Sequence, residues 1–344
     1  MSFDINKIAR KNILSLKPYS SARDEFKGKA DVYLDANENP FDTKFNRYPD
    51  PMQWEVKKIL SQIKRVPADH IILGNGSDEI IDLLIRSFCE PNQDEIIILP
   101  PTYGMYEVYA NINQVNIKEV SLNSSFDLVA EKVLDQVTEC TKIIFLCSPN
   151  NPSGNLLDIA AVKSVLQNFN GLVVLDEAYI DFSDMESWAN FLDLYPNLFV
   201  MQTLSKAWGL AGIRLGMGFS NLEIINLLNK VKPPYNISAL TQEKAIEALH
   251  CEDQKNDIVG LLLQEREKLV NALNELDKVA KTYPTDANFV LVKIKNATAI
   301  YEQLIAQGIV VRNRSNVQLC DDCLRITVGI PDENKKLIEA LKTL

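Results

Sequence analysis

The sequence predicts an α/β protein, with a large domain built on a mostly parallel central sheet flanked by helices and a smaller α+β domain after it. Three observations carry this. From about residue 69 to residue 232, short runs rich in Val and Ile alternate with stretches of helical spacing, the alternation that builds parallel sheets covered on both faces. After Pro233-Pro234 the alternation stops and long helical stretches take over. A chain of 344 residues is also long enough for one large domain plus a smaller one.

Taken in chain order, DEIIILP (94–100), TKIIFLCS (141–148), GLVVLDEAY (171–179), NLFVMQTLS (197–205) and LGMGFS (215–220) read as buried strands, because each apolar run is too short for a helix. Between the second and third, LLDIAAVKSVLQNF (156–169) has helical spacing, making a strand–helix–strand unit. Beyond the paired prolines, ALTQEKAIEALH and DIVGLLLQEREKLVNALNEL read as helices, the second long and amphipathic. NFVLVKI, AIYEQLIAQG, IVVRN, CLRITVG and ENKKLIEALKTL then give strand, helix, two strands and helix. The expected division is an N-terminal arm over 1–40 that packs with the small domain, a large domain over 41–235 and a small domain over 236–344.

A formal net charge of -10 with no basic run argues against nucleic acid or an anionic membrane surface as a partner, since both need clustered Lys and Arg. No stretch approaches the roughly 20 apolar residues of a membrane helix. The opening MSFDINKIARKNILSL lacks a signal-peptide core, so a cytoplasmic protein is expected. Six cysteines do not make a disulfide framework. Cys320 and Cys323 form a lone CxxC, and the only histidines, His70 and His250, lie far off in sequence. No metal is expected, and these cysteines read as small packing residues beside a strand.

Five segments carry chemistry when taken together. In ILGNGSDEIIDLL (72–84) a strand passes through Gly74 and Gly76 into a helix opening on Ser77, Asp78 and Glu79. Such a turn presents free backbone N–H groups and the positive end of a helix dipole, which suits a phosphate, although an ordinary helix cap reads the same way. It matches neither glycine-rich nucleotide fingerprint. CSPNNPSG (147–154) follows a buried strand, and its prolines fix a turn at the strand's C-terminal end, where sites in α/β sheets lie. A neutral Asn there donates to an anionic oxygen without adding charge. VVLDEAY (173–179) delivers Asp176 out of an apolar run. A carboxylate so near a core needs a cationic or strongly donating partner; a pyridinium nitrogen, a helix terminus or a metal would each serve. TLSKAWGLAGIRLG (203–216) sets Lys206 after Thr203 and Ser205 and before Ala207, Gly209, Ala211 and Gly212. Partial desolvation depresses a lysine from its ordinary value of about 10.4 and frees the amine to attack carbonyls. The two hydroxyls and Arg214 could clamp a phosphate from the side opposite the helix. PPTYGMY (100–106) sets Tyr103 just past a strand end, where its face can lie against a planar ring.

In order along the chain, NENP (37–40), NRYPDP (46–51), GNGSDE, PPTYGMY, SPNNPSG, LDEAYIDF, TLSKAWGLAGIRLG and CLRITVG (323–329) span nearly its whole length. This run resembles the class II, fold-type I pyridoxal-phosphate-dependent aminotransferases, and within them the branch acting on histidinol phosphate. The resemblance implies a homodimer and pyridoxal 5′-phosphate carried on Lys206 as an internal aldimine, with Lys206 later acting as general acid and base. It implies that Asp176 pairs with the pyridinium nitrogen, that Asn151 and Tyr179 bond the ring's phenolic oxygen, and that Tyr103 stacks on the ring. The N–H groups of Ser77 and Asp78, with Thr203, Ser205 and Arg214, would hold the cofactor's phosphate. Tyr48 would reach the phosphate of the neighbouring subunit's cofactor and, with Asn37 and Asn151, border the substrate. Arg325 would receive the substrate's anionic end, with Tyr19 and Arg312 beside it. Ser153 and Ser77 stand where relatives often carry Thr and Ala, and neither removes a donor; Trp208 stands where Phe is expected, which would narrow the site slightly.

The reaction implied is ping-pong transamination of L-histidinol phosphate with 2-oxoglutarate, giving imidazole-acetol phosphate and L-glutamate in histidine biosynthesis. One anion subsite must then accept a phosphate in one half-reaction and a carboxylate in the other, which an arginine fork satisfies. An aromatic amino-acid aminotransferase and a phosphothreonine decarboxylase are built on similar motifs. A non-catalytic regulator of the same fold would be expected to carry an added DNA-binding domain, and no basic run or helix-turn-helix-like segment is read before residue 40.

Overall fold

The computed structural model describes residues 3–18 and 30–344. The apolar runs become a seven-stranded sheet: β1 (Ile71–Asn75), β2 (Glu95–Ile98), β3 (Asn116–Glu119), β4 (Thr141–Cys147), β5 (Leu172–Asp176), β6 (Leu198–Thr203) and β7 (Leu215–Phe219), in the order β1-β7-β6-β5-β4-β2-β3. Strands β3, β2, β4, β5 and β6 pair in parallel, as strands buried on both faces do. Strand β7 runs antiparallel to both β6 and β1, so the parallel sheet expected over LGMGFS stops one strand short. The reason is the connection: β6 and β7 are joined by a turn with one short 3-10 segment, Ala211–Ile213, whereas a parallel return needs a full crossover. Lys206 lies in that turn.

Two apolar layers cover the sheet's faces. One gathers Leu73, Leu146, Leu175 and Val200 with Val56 and Leu60 of the helix Trp54–Lys64. The other gathers Ile72, Phe145, Val174 and Phe199 with Ile80 and Leu84 of the helix Gly76–Phe88. The first layer also takes in Ile237, Ala245 and Leu249, so the helix Ala239–Leu249 packs on the large sheet.

A second sheet orders β10 (Arg312–Asn313), β11 (Cys323–Thr327), β9 (Phe289–Ile294) and β8 (Val279–Thr282), all antiparallel. Its core joins Val290, Val292, Leu324 and Ile326 to Leu269 and Leu273 of the long helix Glu252–Asn274 and to Leu337 and Leu341 of the C-terminal helix. The CxxC thiols are free and wholly buried beside β11, as packing residues. Among the described residues, no helix is long and apolar enough to cross a membrane.

Candidate active site

The C-terminal ends of β4, β5 and β6 are in register, Cys147 opposite Asp176 and Asp176 opposite Met201. The three strand-end segments therefore open onto one cavity of about 920 Å³, the crevice where ligands of such sheets bind. Asn151, Asp176, Tyr179, Thr203, Ser205, Lys206 and Arg214 all border it, together with Ser77, Asp78, Tyr103, Arg312 and Arg325.

At one end lies an anion cradle. Gly76 has φ +75, and a Cβ there would stand 2.5 Å from Arg214 Nη2, so only glycine keeps the space open. Its N–H donates to the Arg214 carbonyl at 2.7 Å, leaving the next N–H groups of the first helical turn without a partner in their own helix. Glu79 holds the turn by accepting from the Asn75 N–H and from Asn236 Nδ2. Thr203 Oγ1 and Ser205 Oγ are hydrogen-bonded at 3.0 Å on the facing wall. The Asp78 carboxylate accepts from the Tyr103 hydroxyl at 3.0 Å and pairs with Arg214 at 3.4 Å. It anchors the aromatic ring.

Asp176 is 3% exposed and forms no ion pair with any described residue. It accepts the Tyr106 hydroxyl at 2.6 Å and the Ala178 N–H at 3.0 Å. Burial raises its pKa, partly offset by the Tyr106 hydrogen bond. A buried carboxylate held only by neutral donors has room for one cation. Lys206 is exposed to the cavity, its Nζ 5.5 Å from the centre of the Tyr179 ring. Desolvation by the protein around the amine, followed by the positive charge of Arg325, lowers its pKa. Tyr179 is buried with its ring edge-on to Phe289. Burial raises its pKa, so it stays a neutral donor.

The second sheet supplies the opposite wall. Arg325 Nη1 donates to Asn151 Oδ1, which leaves the Asn151 amide nitrogen as that side chain's remaining donor. Arg325 also lies over Phe289, 5.2 Å from the ring centre, and burial lowers its pKa. Arg312 stands directly opposite Arg325 across β10 and β11.

Two predicted residues lie elsewhere. Tyr48 and Asn37 border a separate hollow of about 430 Å³, where Tyr48 is 51% exposed and stacks on Tyr235. Tyr19 lies outside the described residues. Sequence reasoning missed Tyr106 and Arg314. Tyr106 follows Tyr103 by one helical turn, a spacing that could have flagged it; Arg314 follows Arg312 by two, the period of a strand face.

Solved structures share this architecture. The histidinol-phosphate aminotransferase of Clostridium acetobutylicum superposes with a TM-score of 0.80 at 26% identity, over 87% of this chain and 91% of that one. The enzyme of the same name from Sinorhizobium meliloti, solved in complex with pyridoxal-5′-phosphate, also superposes with a TM-score of 0.80, at 23% identity over 87% and 83%. The fold is that of the fold-type I pyridoxal-phosphate-dependent aminotransferases. A profile of the class I and II aminotransferases matches residues 31–341. The histidinol-phosphate aminotransferase of Parabacteroides distasonis is 55% identical over 341 residues, 99% of either chain. The chain belongs to the class I and II aminotransferase family.

The cavity fits the family's cofactor. The cradle that a Cβ on Gly76 would fill suits a phosphate, and the unpaired Asp176 suits a protonated ring nitrogen.

Proposed function

We propose that the protein is a pyridoxal-phosphate-dependent transaminase that converts L-histidinol phosphate and 2-oxoglutarate to imidazole-acetol phosphate and L-glutamate, a step of histidine biosynthesis. The observation that carries the substrate reading is the facing pair Arg312 and Arg325, unpaired with any described carboxylate and bordering the same cavity as Lys206. A planar fork of this kind takes a phosphate in one half-reaction and a carboxylate in the other.

Lys206 would hold the cofactor, which would supply an electron sink for charge at the carbon that bears the amine. Lys206 Nζ, when not itself bonded to the cofactor and uncharged more readily than an ordinary lysine, would take the proton from that carbon as general base and give it back as general acid. Asp176 keeps the ring nitrogen protonated, held at its own end by Tyr106. Asn151 and Tyr179 donate to the ring's phenolic oxygen, and Tyr103, tethered through Asp78, lies against the ring face. The N–H groups of Ser77 and Asp78, with Thr203, Ser205 and Arg214, bind the phosphate. Arg325 and Arg312 bind the substrate's anionic end, with Tyr19 beside them.

The working unit is a homodimer in the cytoplasm. The apolar side chains of Val32, Leu34, Phe41 and Phe45 are exposed along the segment that carries Asn37 and Tyr48, as on a surface that meets a second copy. Tyr48 then reaches the neighbouring subunit's cofactor phosphate, and Asn37 the neighbouring substrate. The boundary between the large and small domains falls after the helix Ala239–Leu249, which packs on the large sheet, rather than near residue 235. The described part of the N-terminal arm lies against the large domain and not the small one, with Ile5, Ala9 and Ile13 in its apolar layer and Arg10 paired with Glu90.

The test follows the cofactor's visible absorbance in the purified holoenzyme. L-histidinol phosphate should bleach it and 2-oxoglutarate restore it. Bleaching by phenylalanine alone would replace the substrate reading with an aromatic one. Carbon dioxide release from phosphothreonine would replace it with a decarboxylase.

A further inference from the structure

Nothing in the mechanism above uses Arg314, yet its setting is unusual. Arg312 and Arg325 face each other across two strands, and Arg314 follows Arg312 by two residues, the spacing that returns a side chain to the same side. All three border the Lys206 cavity. Like charges directly opposed across a sheet destabilise it. No carboxylate among the described residues forms an ion pair with any of the three. The buried Nε atoms of Arg314 and Arg325 both lack a hydrogen-bond partner. Desolvation, then the neighbouring charges of Arg325 and Arg312, lower the Arg314 pKa.

The placement of Arg314 is also firm. Its N–H donates to the Cys323 carbonyl at 2.9 Å, and its own carbonyl accepts the Val317 N–H at 2.8 Å. Further along the same loop, Gln318 Nε2 donates to Ser121 Oγ at 2.8 Å, tying the loop to the segment that follows β3. A guanidinium carried on a backbone anchored this way, with its buried Nε unpartnered, is set for a ligand that brings charge with it.

We propose that Arg314 is a further specificity-determining residue: a third guanidinium that completes a subsite for a phosphate monoester dianion and distinguishes it from a carboxylate. This rests on the placement of the substrate's anionic end at Arg325 and Arg312. A carboxylate brings one negative charge and two oxygens, which a single fork saturates. A phosphate monoester brings about -1.5 to -2 near neutral pH and three terminal oxygens. With a carboxylate bound, two of the three positive charges stay unmatched; with a phosphate dianion bound, only one does, and each guanidinium has a terminal oxygen to meet. Arg314 therefore contributes more to the half-reaction of the phosphorylated amine than to that of the dicarboxylate pair, which is how one site ranks two anions it must both admit.

The experiment compares wild-type holoenzyme with Arg314→Gln, Arg314→Lys and Arg325→Gln in separate half-reactions with L-histidinol phosphate and L-glutamate. The readout is the apparent second-order rate constant for loss of visible absorbance. Arg314→Gln is expected to lower the ratio of the histidinol-phosphate constant to the glutamate constant by about 10–100-fold, the effect of losing a hydrogen bond to a charged group. Arg314→Lys, which keeps the charge without the fork, should recover part of that ratio. The wild-type constant for histidinol phosphate should fall as pH drops through the phosphate's second ionisation near about 6, and Arg314→Gln should flatten that fall. Thermal unfolding without substrate should show no loss in Arg314→Gln, because a repelled cation is removed. An unchanged ratio in a folded Arg314→Gln overturns the proposal. Arg325→Gln separates this from the underlying reading: if it slows both amines, the anion placement stands whatever Arg314 does, and if it slows neither, that placement fails.

Discussion

Asp176 depends on Tyr106 in a way that makes the tyrosine a positioning residue. With the hydroxyl removed, the carboxylate keeps one backbone donor and its pKa rises further, so it competes with the ring nitrogen for a proton. Tyr106→Phe is expected to weaken cofactor binding by about 10-fold or more, the loss of one hydrogen bond to a charged group, measured by titrating apoenzyme with cofactor. Restoring the hydroxyl's partner chemistry with Asp176→Asn in the same background should not recover affinity, since the amide cannot hold the ring nitrogen's charge. Lys206→Ala should lower turnover by at least about 10²–10⁴-fold, the span of general acid–base catalysis alone, while the cradle still retains cofactor that dialysis then removes. At this scale the sequence was most informative where residue type and strand end coincide: Lys206, Asp176 and Asn151 stand out because polar groups leave apolar runs. Tyr106 was hidden because an aromatic on a helix reads equally well as core, and it is both, being fully buried and stacked on Phe145. Arg314 was hidden because a surface strand with alternating polar residues looks solvated until its fold turns that face inward.

At the scale of elements, the turn from β1 into its helix is the strictest part. Gly76→Ala adds a methyl at positive φ, against the Arg214 guanidinium. The backbone cost is about 1–2 kcal/mol, so a modest fall in melting temperature is expected, with a larger fall in cofactor affinity as Arg214 is displaced. An equal loss of stability and no loss of affinity would argue against the cradle. The central strands were legible because burial on both faces writes them as unbroken apolar runs. Strands β3, NIKE, and β8, VAKT, were not: both are edge strands with mixed, partly exposed residues, so neither carries an apolar signature. The direction of β7 was not legible either, because direction depends on the length of a connection and the space it must cross.

Across the whole molecule, two buried charges set opposite slopes of stability with pH. Lys57 is fully buried, and burial followed by the charge of Lys232 lowers its pKa to about 7. Between about pH 7 and its ordinary value near 10.4, the unfolded chain holds a proton that the folded chain has released, so stability rises with pH there. Glu177 is buried too, and its pKa is raised to about 7. From its ordinary value near 4.3 up to about 7, the folded chain holds the extra proton, so stability falls as pH rises. Melting curves across pH should show Lys57→Met flattening the upper limb and Glu177→Gln the lower one; unchanged limbs would show these groups to be solvated in solution. The proposed dimer has its own test. Lys206→Ala and Tyr48→Ala protomers mixed after unfolding should regain activity, since one site of each hybrid joins an intact lysine to an intact partner tyrosine, whereas sites confined to single protomers would regain none. The contact between Arg325 and Asn151 has a further consequence. In the proposed roles, one guanidinium would grip both the amide that addresses the cofactor and the anion that arrives with the substrate, so the two occupancies would share a term of free energy. By reciprocity, whatever tightens the one must tighten the other by the same factor: an inert dianion that binds better to the loaded protein will, to that same extent, slow the cofactor's escape.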